Sequence, residues 1–78
     1  MTDKALLALA KQERDELVRY FESLTDCPKV TIGAKRFTDP KLFVDTNIER
    51  IKSNMYPSKV FNASMKGLKE YKNAIQKI

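Results

Sequence analysis

Lys59, Asn62, Lys66, Lys69, Asn73 and Lys77 recur at three- and four-residue steps, so on a helix their ammonium and amide groups project from one face. Ammonium groups neutralise phosphates and amides read adenine edges, which is the chemistry of a helix laid against nucleic acid. The band has no arginine for bidentate guanine contacts, and a solvated helix face has the same composition, so the simpler reading is a solvated surface. Catalytic chemistry has little to work with. The chain contains no histidine and a single cysteine, which removes the usual general base, the usual zinc ligand sets and any internal disulfide. Glu13, Asp15 and Glu16 radiate to different sides of one helix and do not converge. Cys27 follows the carboxyl end of a predicted helix, where the negative end of the dipole works against a thiolate nucleophile. It reads as a small buried apolar residue. These residues predict no enzyme, no cofactor and no metal.

Charge is unevenly placed. Residues 1–39 hold seven Lys/Arg against seven Asp/Glu, while residues 40–78 hold eight against three, so the net charge of +5 lies in the second half. A polyanion would be met there. Arg14 and Arg19 have acidic neighbours in Asp15, Glu16 and Glu22 and read, with Lys35-Arg36, as ordinary surface charge. The apolar stretch Ala5–Ala10 is too short to span a membrane and precedes no small-residue cleavage site, which predicts a soluble cytoplasmic chain with no membrane partner.

The elements that must position these residues are helical. From Asp3 to Leu24 there is no Gly or Pro, and Leu6, Leu9, Ala10, Leu17, Tyr20, Phe21 and Leu24 form an apolar stripe, with Thr2 or Asp3 as cap and Thr25-Asp26-Cys27-Pro28 as stop. Glu13 interrupts the stripe, so residues 1–12 are expected to belong less firmly to the core and to project as a helical extension. Val30 and Ile32 alternate before Gly33 without a visible partner strand, and the segment reads as an extended loop pinned by Val30, Ile32 and Phe37. Thr38-Asp39-Pro40 places a capping side chain before a proline at the first helical position and starts helix two.

Phe43, Val44, Asn47, Ile48, Ile51 and Met55 share the apolar face of helix two, and residues 54–58, with Pro57, end it. Asn47 is expected to bond a nearby loop carbonyl, and Leu42 points away from that face. Helix three starts between Ser58 and Asn62 and buries Phe61, Met65, Leu68, Tyr71 and Ile75, with the stem of Lys72 on apolar neighbours. Gly67 within it points to a close approach by another element. Tyr56 beside Pro57 is the aromatic best placed to be exposed. The fold expected is all-α: a three-helix bundle over residues 1–78, one small domain, with an ordered extended loop between helices one and two.

Tyr20-Phe21-Glu22, Pro28, Val30, Ile32, the Thr38-Asp39-Pro40 start, Phe43-Val44, Ile48, Ile51, Asn54, Phe61, Met65 and Leu68, taken in order, resemble a family of small uncharacterised helical domains from Bacteroidetes. The resemblance covers residues 14–72. That family's pattern tends to place histidine where Asn47 stands and arginine where Gly67 stands. It implies a compact bacterial helical domain and transfers no site.

Two functional readings follow. The first is a non-enzymatic interaction module whose partner is another protein or a second copy, associating through Leu6, Leu7 and Leu9, which wrap more than one side of helix one. The alternative is a nucleic-acid-binding accessory protein that uses the basic band of helix three.

Overall fold

Three helices, α1 (Asp3–Ser23), α2 (Pro40–Ser53) and α3 (Lys59–Gln76), carry the fold in the computed structural model, which describes residues 3–32, 35–36 and 39–77. The starts of α2 and α3 are written locally. Asp39 accepts the backbone N–H of Leu42 at 3.2 Å with Pro40 in the first turn, and Ser58 accepts that of Phe61 at 3.0 Å. Each cap satisfies one of the donors that a helix leaves unpaired at its amino end. Thr2, Gly33, Phe37 and Thr38, expected to help cap α1, to break and pin the loop and to begin the α2 start, lie outside the described residues.

The extended segment between α1 and α2 differs from the expectation of a loop alone. Thr31–Ile32 (β1) pairs antiparallel with Lys35–Arg36 (β2), Thr31 opposite Arg36 and Ile32 opposite Lys35. The mate of the Val30/Ile32 run was inconspicuous because Lys35 and Arg36 carry no apolar alternation; a two-residue ladder is set by backbone bonds, not side-chain pattern. Val30 and Ile32 both pack on the core, as expected.

The centre is aromatic. Tyr20 meets Phe21 edge-on at 5.1 Å between ring centroids, Phe21 meets Tyr71 edge-on at 5.9 Å, and Tyr71 stacks on Phe43 at 5.9 Å. This row runs from α1 through α3 to α2, and such contacts add to the area that the rings bury. Ile51, Leu68 and Tyr71 are fully buried around it, with Val44, Phe61 and Met65 nearly so. The Tyr71 hydroxyl donates to the Pro28 carbonyl oxygen at 2.7 Å and so ties the segment after α1 to α3. Burial, with the charges of Cys27, Asp26 and Tyr20 adding to it, pushes the Tyr71 phenol up to about 12.

Helices α2 and α3 make the closest pair. Gly67 stands at their contact: a Cβ built there would be 3.3 Å from Cζ of Phe43, tighter than ordinary contact, so the ring would have to give by a few tenths of an ångström. Asn47 is buried, as its place on the apolar face implied, but its amide donates to the Phe43 carbonyl oxygen one turn back in α2, at 2.8 Å, and not to a loop carbonyl. Met55 departs further from expectation. Because α2 ends at Ser53, capped where the Asn54 N–H reaches the Arg50 carbonyl, Met55 is off the helix and 83% exposed. Tyr56 is half-buried, its ring edge-on to Phe61 at 5.7 Å, and Cys27 is half-buried, not fully so.

Helix α1 is attached along part of its length only. Ala10, Leu17, Val18 and Phe21 are buried, whereas residues 3–9 are exposed except for the half-buried Leu6. The extents of 38 × 25 × 21 Å and a radius of gyration of 13.0 Å reflect this. A compact chain of this length has a radius near ~11.5 Å, and a 21-residue helix is itself ~31 Å long.

Candidate functional site

All six residues of the basic band are exposed, Lys59, Asn62, Lys66, Lys69 and Asn73 on α3 and Lys77 at its carboxyl cap, opposite the buried stripe of Phe61, Ser64, Met65, Leu68 and Tyr71. They share a face but not a single surface. The band runs over nineteen residues, eighteen steps or ~27 Å along the helix axis, and three different neighbours border it. Lys59 stands on the lip of the α2–α3 groove; Asn62, Lys66 and Lys69 border the seam with α1; Lys77 flanks β1, and Asn73 borders both the seam and β1.

Acids break the positive charge in two places. The Lys69 ammonium donates to the Glu13 carboxylate at 3.0 Å, which ties α1 to α3 across an exposed contact, and Glu70 stands exposed on the band itself. Glu13 therefore interrupts the apolar stripe of α1 because it faces a lysine. Lys72, at the edge of the buried stripe as expected, lies over the Tyr20 ring at 4.6 Å from its centroid. Among the described residues, Lys59, Lys66 and Lys77 have no ion pair.

Asp15 and Glu22 of α1 sit in surface pairs, whereas Arg19 donates to the Asp15 backbone carbonyl at 3.4 Å. Arg14 reaches the Asp15 carboxylate at 3.1 Å, and Glu22 is 3.9 Å from Lys52 of α2. Glu13, Asp15 and Glu16 do not converge: Glu13 is held by Lys69, Asp15 by Arg14, and Glu16 accepts from the Gln12 amide at 3.3 Å. Among the described residues, no group of three or more acidic or cysteine side chains could hold a metal ion, and no helix is long and apolar enough to cross a membrane.

Leu6, Leu7 and Leu9 lie on the amino-terminal turns of α1. Leu7 is 36% and Leu9 44% exposed, and Leu6 is half-buried. Leu6 and Leu7 bracket the line of the buried Ala10 and Phe21, so the apolar stripe of α1 continues past the point where the rest of the molecule stops covering it.

One feature was not singled out from the sequence. Between α2 and α3, on the side away from α1, lies an open groove of about 870 Å³. Its lips carry Leu42, 62% exposed, and Val60, 43% exposed; Phe43, Asn47, Ser64 and Gly67 line it, with Asp39 at one end and Arg50 and Lys59 at the other. Leu42 gave the sequence signal, as an apolar residue turned away from the core face of α2. Its partner lip depends on how α2 and α3 pack.

The described residues form an all-α three-helix bundle with a two-strand antiparallel ladder between its first two helices and an open groove between α2 and α3. The chain belongs to the family described as Domain of unknown function (DUF6965), whose model matches residues 12–77. The expected resemblance to an uncharacterised domain family is thereby borne out. No curated protein and no solved structure matches the chain.

Proposed function

We propose that the chain is a single small domain that acts as a non-enzymatic interaction module and self-associates through the amino-terminal turns of α1, with residues 1–12 as its projecting extension. The observation that carries this reading is the uncovered continuation of the α1 stripe in Leu6, Leu7 and Leu9, beyond Ala10. Exposed leucines on a helix that leaves the core raise solubility and aggregation costs unless something covers them. The family match begins at residue 12, so it does not include these turns. Sedimentation equilibrium tests the reading. The full chain is expected to associate with rising concentration, and the variant L7E/L9E to remain monomeric; a full chain that stays monomeric throughout contradicts it.

A second reading, a nucleic-acid-binding accessory protein, is favoured by one observation: Lys59, Lys66 and Lys77 are exposed on one helix face without acidic partners among the described residues. A salt series with generic duplex DNA tests it. Contacts to three phosphates give a slope near −2.7 in log K against log salt, at about −0.9 for each. Absence of binding at low salt removes this reading.

A further inference from the structure

We infer that the receiving surface for the α1 extension is the α2–α3 groove of a second copy. This rests on the self-association reading and specifies its geometry. Three observations carry it.

The first is area. The extension is two helical turns with three leucines, and two such extensions facing each other would bury far less than the roughly 1,200 Å² of a stable specific interface. A stable pair therefore needs a larger receiving surface. The groove, with the exposed Leu42 and Val60 on its lips and about 870 Å³ of space, offers such a surface.

The second is topology. Helix α1 packs on the flank of α3 that carries Lys69 and Lys72, whereas the groove opens on the flank of Ala63 and Gly67, on the other side of that helix. The extension of one copy cannot reach its own groove, so the two surfaces are left for different copies.

The third is charge. Asp3, Leu7 and Lys11 stand four residues apart, on one line of α1, an acid, an apolar side chain and a base over ~12 Å. Along the groove, Arg50 and Lys59 lie at one end and Asp39 at the other, with Leu42, Phe43, Val60 and Ala63 between them beside the polar Thr46, Asn47 and Ser64; Asp39 to Arg50 is eleven residue steps, ~16 Å along α2 and its cap. Laid with Leu7 in the groove and Asp3 toward Arg50 and Lys59, the extension brings Lys11 toward Asp39, so that each charge meets its opposite, while Leu9, about 160° around the helix from Leu7, stays outside this contact. Lys4 stands beside this line on a stem long enough to turn to solvent.

A mixing experiment tests the arrangement. Leu7→Glu removes the extension and leaves the groove; Val60→Glu removes the groove and leaves the extension. Both positions are exposed, and unchanged thermal melts verify folding. Each variant alone is expected to self-associate at least about tenfold more weakly than the unaltered chain. A labelled V60E chain titrated with L7E is then expected to bind, because one intact extension meets one intact groove. Self-association of V60E at the unaltered strength overturns the groove as receiver and leaves self-association standing. Loss in both variants without binding in the mixture also overturns the arrangement. An unaltered chain that is monomeric overturns both proposals.

Discussion

Residues 17–21 and residues 3–9 belong to one helix, yet they meet opposite surroundings. Leu17, Val18 and Phe21 are buried, and Phe21 joins the aromatic row that links all three helices; Leu7 and Leu9 of the same helix remain exposed. Helical periodicity is alike in both stretches. The difference comes from what stands opposite: α2 and α3 pack against α1 where Leu17, Val18 and Phe21 lie, and no described element buries the first two turns. An apolar stripe thus establishes a face to be covered, and only the tertiary arrangement decides whether the same chain covers it.

The contrast can be broken first in the core. Leu68→Ala, at a fully buried position on α3, is expected to cost about 2–5 kcal/mol in urea denaturation, lost transfer and cavity together. Leu7→Glu should by comparison stay within about 0.5 kcal/mol in dilute protein, since an exposed site has little folded-state packing to lose. A large cost for the leucine at position 7 would mean that the first turns are held by the fold.

Between these extremes lies Tyr71→Phe, which removes the bond to Pro28 and should cost about 0.5–1.5 kcal/mol. Tyr71 also carries a pH signature. Its pKa is pushed up to about 12 from 10.0, so the unfolded chain gives up this proton first as the medium becomes alkaline. The stability it contributes is complete below pH 10 and is lost as pH rises toward 12. In alkaline titrations followed by circular dichroism, the phenylalanine variant should lose part of that dependence. The smallest effect is expected for Glu13→Gln: its exposed pair with Lys69 contributes about 0.2–1 kcal/mol, and less at high salt.

The features legible from the sequence were those with local causes. Asp39-Pro40 announced a helix start that the capping bond bears out, α3 starts within the stretch 58–62 expected for it, and the stripe Phe61, Met65, Leu68, Tyr71 lies buried as its spacing implies. Gly67 was legible as a close approach, with Phe43 as the group that approaches. What escaped depended on the meeting of distant segments. Met55 continued the spacing of Ile51 but lay past the helix end. Asn47 found its acceptor in its own helix. Glu13 broke a stripe because Lys69, far along the chain, stood opposite. The basic band was legible as a face, but the grooves that divide it arise only from packing. The α2–α3 groove had one visible trace in Leu42, since its opposite lip belongs to another helix.

Amide hydrogen exchange measured across a series of protein concentrations addresses the central claim directly, because it reports where a second copy covers the first. The account predicts that amides of residues 5–11 exchange rapidly in dilute protein and become protected as concentration rises, together with residues lining the groove near Val60 and Ala63, while the amides around Leu68 keep one high protection throughout. Exchange at residues 5–11 that is independent of concentration would contradict it.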